Sequence, residues 1–397
     1  MPVINSIAPM KDEVAGWRRE LHQNPQTSYE EEFAAGMIAE KLTAWGIKFK
    51  KGIATTGVVA TIEGKSTSSG KIIGLRADID ALNIIEKSNQ PWSSKNPGKM
   101  HACGHDGHTA TMLGVAKYLN ETKNFDGIVH LIFQPAEEGG QGALRMIEQG
   151  LFTDFPCDYI FGVHNWPWMP AGKIATRVGP LLAAVDEFEI SITGVGGHAA
   201  FPHTTVDPAL VAGHLITALQ SIVSRNIDPV ETAVLSVTNV KIGTNAFNII
   251  GDTAYLNGTV RTFSQEVRHK IKARIESLVE NICTAFGATS TLHYDFHIEP
   301  TINTADGVEI AVKAAADIVG IENVITDCEP CMGGEDFGAF LALRPGAFVI
   351  IGQGTPDESS PHNQGLHSPF YDFNDEILPT AISYFVKLVE QHMALEK

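Results

Sequence analysis

Four short segments offer more soft and borderline metal ligands than one ion can use: Met100–His108 (MHACGHDGH), Gln134–Gly139 (QPAEEG), Gly162–Asn165 (GVHN) and Gly365–Pro369 (GLHSP). That surplus points to a two-metal hydrolase. If Cys103, His105, Glu138, His164 and His367 are the ligands and one of them bridges, each ion receives three protein ligands. The fourth position stays open for water, the arrangement of catalytic rather than structural zinc-type sites. A shared ligand also suits the roughly 3.5–4 Å separation of dinuclear hydrolases.

Spacing adds detail. Cys103 and His105 are two residues apart, so on an extended segment both side chains face the same way. Glu137 and Glu138 are adjacent and on such a segment point apart, which suits one carboxylate on a metal and the other holding the attacking water. Gly104, Gly107, Gly139 and Gly140 permit the close turns that bring such groups together. His108, at a helix start, reads as a packing residue rather than a ligand. Cys328 and Cys331 form a C-x-x-C pair with no second pair at zinc-ribbon spacing, and read as small residues at a strand-to-loop junction before Gly333-Gly334.

The elements that must position these residues alternate. A helical pattern closes over Trp17–His22, Asn24-Pro25 breaks it, and Ser28 with Glu31 reads as a capping box for the next helix. Short β-branched runs follow at 58–62, 71–75, 128–133 and 159–163, with helical patterns at 108–119 and 142–148 between them. Strands alternating with helices predict an α/β layer with a mostly parallel sheet. Ligands at the carboxyl ends of such strands follow the general rule for open sheets.

From Glu187 the order changes to strand (188–193), helix (208–225), strand (233–242), strand (253–261), helix (265–286) and strand (290–296). This is the βαββαβ order of a ferredoxin-like unit. After Pro300 the alternation resumes, with a helix over 308–319, a strand over 347–351 and a last helix over 376–395. The expected organisation is a catalytic metal-binding domain made of residues 1–183 and 300–397, with a lid or dimerisation domain inserted at 184–299.

Bulk properties exclude other classes. A length of 397 residues calls for two domains, and a formal charge of −17 would repel nucleic acid and anionic membranes. No apolar run approaches the roughly 20 residues of a membrane helix, and the start shows no signal-peptide pattern, so the expectation is a cytoplasmic protein. Gly194–Ala199 (GVGGHA) fits a dinucleotide fingerprint, but Pro202 and Pro208 intervene where the glycines should open a helix. A dinuclear phosphoesterase would want oxygen-rich ligands and more cations near them.

Six motifs together carry a family resemblance: Arg76–Leu82 (RADIDAL), Met100–Thr109 (MHACGHDGHT), Gln134–Gly139, Gly196–His203 (GGHAAFPH), Gly333–Phe337 (GGEDF) and Leu366–Pro369 with Asp372–Asp375 (DFND). The chain resembles the metal-dependent aminoacylase and carboxypeptidase family of amidohydrolases, in the branch of hippurate hydrolases, auxin-conjugate hydrolases and N-acetyl-diaminopimelate deacetylases. The resemblance implies a zinc-exopeptidase-like fold in which the βαββαβ insertion is the lid and dimerisation domain. It implies Cys103, His105, Glu138, His164 and His367 as ligands, Cys103 as the bridge and Glu137 as general base. His198 of the inserted domain would reach the substrate, in a dimer from the partner subunit. Arg261, and more weakly Asn248, would bind the substrate carboxylate. An Asp from Asp78-Ile-Asp80 would orient the base or a ligand, with Asp80 preferred over Asp78. Asn83 departs from the proline that relatives carry after Ala-Leu.

The resemblance also implies two divalent ions per subunit, manganese or zinc, with cobalt or nickel compatible with thiolate, imidazole and carboxylate ligands. The expected activity is hydrolysis of the amide of an N-acyl or N-aroyl amino acid by a homodimer or higher homo-oligomer. A dipeptidase or carboxypeptidase of the same fold, or a non-catalytic metal-binding homologue, is the alternative. Phe201, Phe247 or Trp166 could line an aromatic acyl site, or each could be core.

Overall fold

The computed structural model describes residues 3–396. The chain divides into two compact units. One gathers the residues up to Leu181, Ile302–Glu329 and those from Asp336 onward; the other holds Leu182–Thr301 with Pro330–Glu335. The short return of 330–335 was not foreseen from the sequence. It joins the second unit because the Ala183 N–H donates to Gly333 O at 3.0 Å and Leu182 bridges Cys331.

The first unit is built on an eight-stranded sheet in the order Lys48–Ile53, Gly57–Glu63, Ile128–Gln134, Ile72–Asp78, Tyr159–Pro170, Gly346–Gly354, Ile174–Ala175, Val324–Ile325. The four strands from Ile128–Gln134 to Gly346–Gly354 are mutually parallel, so their carboxyl ends open on the same side. Burial on both faces is what a continuous apolar run encodes. Every residue of Gly346–Gly354 is buried. Helix His105–Thr122 packs on Ile72–Asp78, and helices Lys11–Gln23 and Leu378–His392 pack on that helix.

Lys48–Ile53 is a strand the sequence reading left out. Its three lysines and glycine look like loop, yet charged side chains suit an edge strand, where they discourage pairing with another chain. The capping box over Ser28 and Glu31 is also corrected. Helix Glu32–Ala44 starts after Glu31 with no side-chain cap, because both side chains are recruited elsewhere, as described below.

In the second unit the strand order is Ala233–Ile242, Thr253–Thr262, Ala184–Thr193, Thr289–Ile298, all antiparallel. Strand Ala184–Thr193 alternates buried and exposed along most of its length, the pattern of a sheet covered on one face. Helices Pro208–Ser221 and Gln265–Ala285 supply that cover, each capped by a side chain, Asp207 on the Ala209 amide and Ser264 on that of Val267. With its split βαββαβ order this is a ferredoxin-like unit. Residues 194–199 run on as a loop and the two-residue strand Gly197–His198, and the next α-helix begins only at Pro208, so the dinucleotide alternative has no helix to bind a pyrophosphate.

Candidate metal centre

Ligand-bearing segments leave neighbouring parallel strands at their carboxyl ends. Ile72–Asp78 leads to Asp80, Ile128–Gln134 to the Glu137-Glu138 turn, and Gly346–Gly354 to the loop holding His367; His164 sits within Tyr159–Pro170. Helix His105–Thr122 presents His105 as its first residue.

Cys103 and His105 converge, though not by strand alternation. Gly104 between them has φ +99°, a left-handed turn that L side chains rarely adopt. A Cβ at this position would lie 2.2 Å from Asn165 Oδ1 and 2.8 Å from the Tyr371 hydroxyl oxygen, so the site requires glycine here.

Hydrogen bonds fix both histidine tautomers. His105 Nδ1 lies 3.0 Å from the Asp80 carbonyl, an acceptor only, and 3.2 Å from Asp80 Oδ1, so Nδ1 carries the proton and the Nε2 lone pair faces inward. His164 Nδ1 likewise donates to Asn165 O at 2.8 Å, and its Nε2 stands 3.4 Å from Cys103 Sγ. The ligand atoms of Cys103, His105 and His164 lie within 4.8 Å of one another, as do those of Cys103, Glu138 and His367. Cys103 is common to both groups.

The two glutamates do not point apart. The segment after Gln134 is a turn in which Ala136 has φ +55° and the Gly139 amide donates to Glu137 O at 2.7 Å. Consequently Glu137 Oε2 and Glu138 Oε1 come within 3.9 and 4.0 Å of the same atom, His105 Nε2. Two residues read as a capping box hold this turn. The buried Glu31 carboxylate accepts from the Ala136 amide at 3.0 Å, the Tyr29 amide at 2.9 Å and the Thr56 hydroxyl at 2.5 Å, while burial pushes its pKa upward. Ser28 lies 3.3 Å from Asp80 Oδ2 and 3.4 Å from Glu138 O. Asp80 Oδ2 in turn accepts the Glu138 amide at 2.9 Å.

These residues fit two divalent cations. His105 Nε2 is buried without a hydrogen-bond partner, an expensive state for a polar atom unless something else satisfies it, and the buried Glu138 Oε1 meets the His367 Nε2 atom at 3.1 Å. The local field is also strongly negative. Burial and the Glu138, Glu137 and Asp78 carboxylates push the Cys103 thiol well above its ordinary value. Burial opposes charge on His105, yet Asp78, Asp80 and Glu138 outweigh it and hold the imidazolium up to about 10. A cation would reverse both and take the thiolate and the Nε2 lone pair. Cys103, His105 and His164 form a buried floor, whereas the His367 side chain, at φ +65°, is 53% exposed at the rim.

Asp78 and His108 form a further buried group with His105, their ligand atoms within 4.8 Å of one another. His108 Nδ1 is 2.6 Å from Asp78 Oδ1, while Nε2 is 2.7 Å from Asn165 Oδ1 and 3.3 Å from the Asn165 backbone N–H, so protein groups meet both ring nitrogens. Asp78 also accepts from Arg76 at 2.7 Å. Asp80 meets His105 at Nδ1 and the Glu138 amide, whereas Asp78 Oδ2 stands 3.7 Å from His105 Nε2.

Nothing in the sequence signalled Asn165, Tyr371 or Gln353. The Asn165 amide nitrogen donates to Tyr371 at 2.7 Å and Gln353 at 3.1 Å, orienting the acceptor that meets His108.

In the second unit, His198 and Asn248 line one cleft, with the Ala199 amide donating to Asn248 O at 3.0 Å and His198 pairing with Ile249. Arg261 is not with them. It pairs with Val185 and Val234 at the other end of strand Thr253–Thr262, its guanidinium bonded to the Thr259 hydroxyl and to Val260 O at 3.1 Å. Phe201 and Phe247 are exposed rather than core, and Trp166, in the first unit, is half-buried.

Residues 74–391 match Peptidase family M20/M25/M40. The chain belongs to this family. A hippurate hydrolase of Campylobacter jejuni is 38% identical over 99% of this chain and 100% of its own. An N-acetylcysteine deacetylase of Bacillus subtilis is 39% identical over 94% of each chain. The crystal structure of Bacillus subtilis YXEP, described as a dinuclear metal-binding peptidase of the M20 family, superposes with a TM-score of 0.82 at 34% identity, covering 97% of this chain and 99% of that one. The M20 fold is zinc-exopeptidase-like, as the sequence motifs implied. M20 membership also accounts for a donor set that can hold two ions.

Proposed function

We propose that this M20 protein hydrolyses the amide bond of N-acyl or N-aroyl amino acids, releasing a carboxylate and a free amino acid. The observation that carries the reading is the pair of ligand groups sharing Cys103 with the Glu137 carboxylate beside them. The similarity to a hippurate hydrolase and an N-acetylcysteine deacetylase supports the substrate class.

Cys103, His105 and His164 would hold one divalent ion, and Cys103, Glu138 and His367 the other. Such ions supply Lewis acidity that acidifies water and polarises a carbonyl. Manganese or zinc suits the donors best, with cobalt and nickel compatible. Glu137 takes the proton of the attacking water and returns it to the leaving amine. Asp80 keeps His105 in the tautomer that offers Nε2, and through the Glu138 amide it fixes the turn that carries the base.

His198, Asn248 and Arg261 are proposed to bind substrate, and their placement favours a homodimer. The eight steps from Thr253 to Arg261 span about 27 Å at roughly 3.4 Å per residue, longer than an N-acyl amino acid. One chain therefore cannot close all three on one molecule, and a second copy would supply the missing part. Cys103 can act only while reduced, so we place the enzyme in the cytoplasm, where its five free cysteines persist.

The deciding experiment is release of free amino acid from N-acetyl, N-benzoyl and N-indoleacetyl amino acids and dipeptides, using metal-stripped protein reloaded with manganese or zinc. Metal-dependent turnover of the acylated series is expected. Failure of all of them with two ions bound overturns the reading.

A further inference from the structure

Strand Tyr159–Pro170 continues past its ligand in a way the centre itself does not require. His164, Trp166 and Trp168 are spaced by two and so share one face of the strand. Exposure grows along that face, from 8% at His164 through the half-buried Trp166 to 61% at Trp168, while Pro167 and Met169 between them are buried. The rings form a ladder. His164 and Trp166 stand 6.5 Å apart edge-on, and Trp166 and Trp168 4.9 Å apart at 70°.

The ladder is tied to both ends of the centre. It starts at His164, and its outer indole lies against Gly365, two residues before His367; a Cβ on Gly365 would stand 3.1 Å from Trp168 Cζ2. Strand Ile72–Asp78 pairs with this strand only as far as Arg76 opposite Gly162, so the tryptophans project beyond that neighbour.

We infer that the Trp166–Trp168 face is the acyl subsite, and that Trp168 selects aromatic acyl groups on a spacer over acetyl. This rests on the N-acyl amino acid reading above. The ladder's own side chains, His164 aside, are two indoles with no cation among them, so the face suits the apolar acyl end of the substrate and not its carboxylate. The outer ring stands one step farther from His164, its centroid 4.9 Å from that of Trp166. A ring bonded directly to the carbonyl therefore meets Trp166, and one held off by a few methylenes meets Trp168.

The test compares wild type, Trp168→Ala and Trp168→Phe on N-acetyl, N-benzoyl and N-(4-phenylbutyryl) derivatives of one amino acid, with calorimetric titration of 4-phenylbutyrate as a readout independent of turnover. The ratio of kcat/KM for phenylbutyryl over acetyl should fall about tenfold in Trp168→Ala and recover in Trp168→Phe, the size expected of one lost aromatic contact and its buried area. Phenylbutyrate should bind Trp168→Ala more weakly by a similar factor. An unchanged ratio in an enzyme that turns over the series overturns the subsite. No turnover of any member by the wild type overturns the amidohydrolase reading, and the subsite with it.

Discussion

Asp80 and Glu138 are joined through the backbone: the Glu138 amide donates to Asp80 Oδ2 at 2.9 Å, while Oδ1 of the same carboxylate stands 3.2 Å from the ring of His105. One side chain thus orients a member of each candidate ligand group. Asp80→Asn replaces one acceptor oxygen by an NH2 group, and either placement sets N–H against a donor. Metal affinity is expected to fall about 10- to 100-fold, the usual cost of losing such a supporting partner. Competition with a chelator measures it; affinity equal to wild type would show that the ligands are held without Asp80.

Glu137→Gln tests the proton carrier separately from the ligands. The substitution leaves Cys103, His105, Glu138, His164 and His367 in place, so two ions per chain should still be counted by elemental analysis. Turnover is expected to drop by about 10²- to 10⁴-fold, the usual contribution of general base catalysis. Substantial residual activity would assign the base elsewhere.

Gly104→Ala should destabilise the fold as well as the centre. The left-handed backbone alone costs about 1–2 kcal/mol for a residue with a Cβ, and the contacts with Asn165 and Tyr371 add to it. A lower urea midpoint together with lower metal stoichiometry is expected. Wild-type stability would mean that the segment relaxes without moving Asn165.

His130 gives a pH dependence remote from the metals. It is buried on strand Ile128–Gln134, 3.0 Å from the Thr61 hydroxyl, and burial pulls its pKa down to about 4. The unfolded chain takes up a proton below about 6.5 while the folded one does not, so this contribution is intact above that pH and is lost as pH falls towards 4. The loss amounts to about 3 kcal/mol at most. Urea unfolding of wild type and His130→Gln between pH 7 and 4.5 should show their stability difference shifting in favour of the variant as the solution is acidified. A difference independent of pH would contradict a neutral buried ring.

The candidate ligand residues were legible because their types are scarce and cluster at strand ends; the way they converge was not. Cys103 and His105 meet through a left-handed glycine rather than strand alternation, and Glu137 and Glu138 face the same nitrogen because a turn replaces an extended segment. Local pattern rules assume regular backbone, and this backbone is irregular where the chemistry is. Ser28 and Glu31 show the same limit. A capping box is a signal within four residues, whereas the groups that claim these side chains lie at Asp80, Ala136 and Glu138. The strands and helices themselves were legible wherever periodicity ran unbroken, and Lys48–Ile53 escaped because its stability comes from one neighbouring strand rather than from apolar residues.

The centre draws on residues separated by most of the chain. Cys103 and His367 share one ligand group, the His367 amide is anchored on Ala102 O at 2.8 Å, and helix Leu378–His392 packs on the helix that begins with His105. During synthesis, therefore, the segments from Asp80 to helix Leu378–His392 must all be delivered before these groups can assemble. A nascent chain stalled before Leu378 holds Cys103, His105 and His164 without the helix that packs on His105–Thr122, and is expected to lose metal binding.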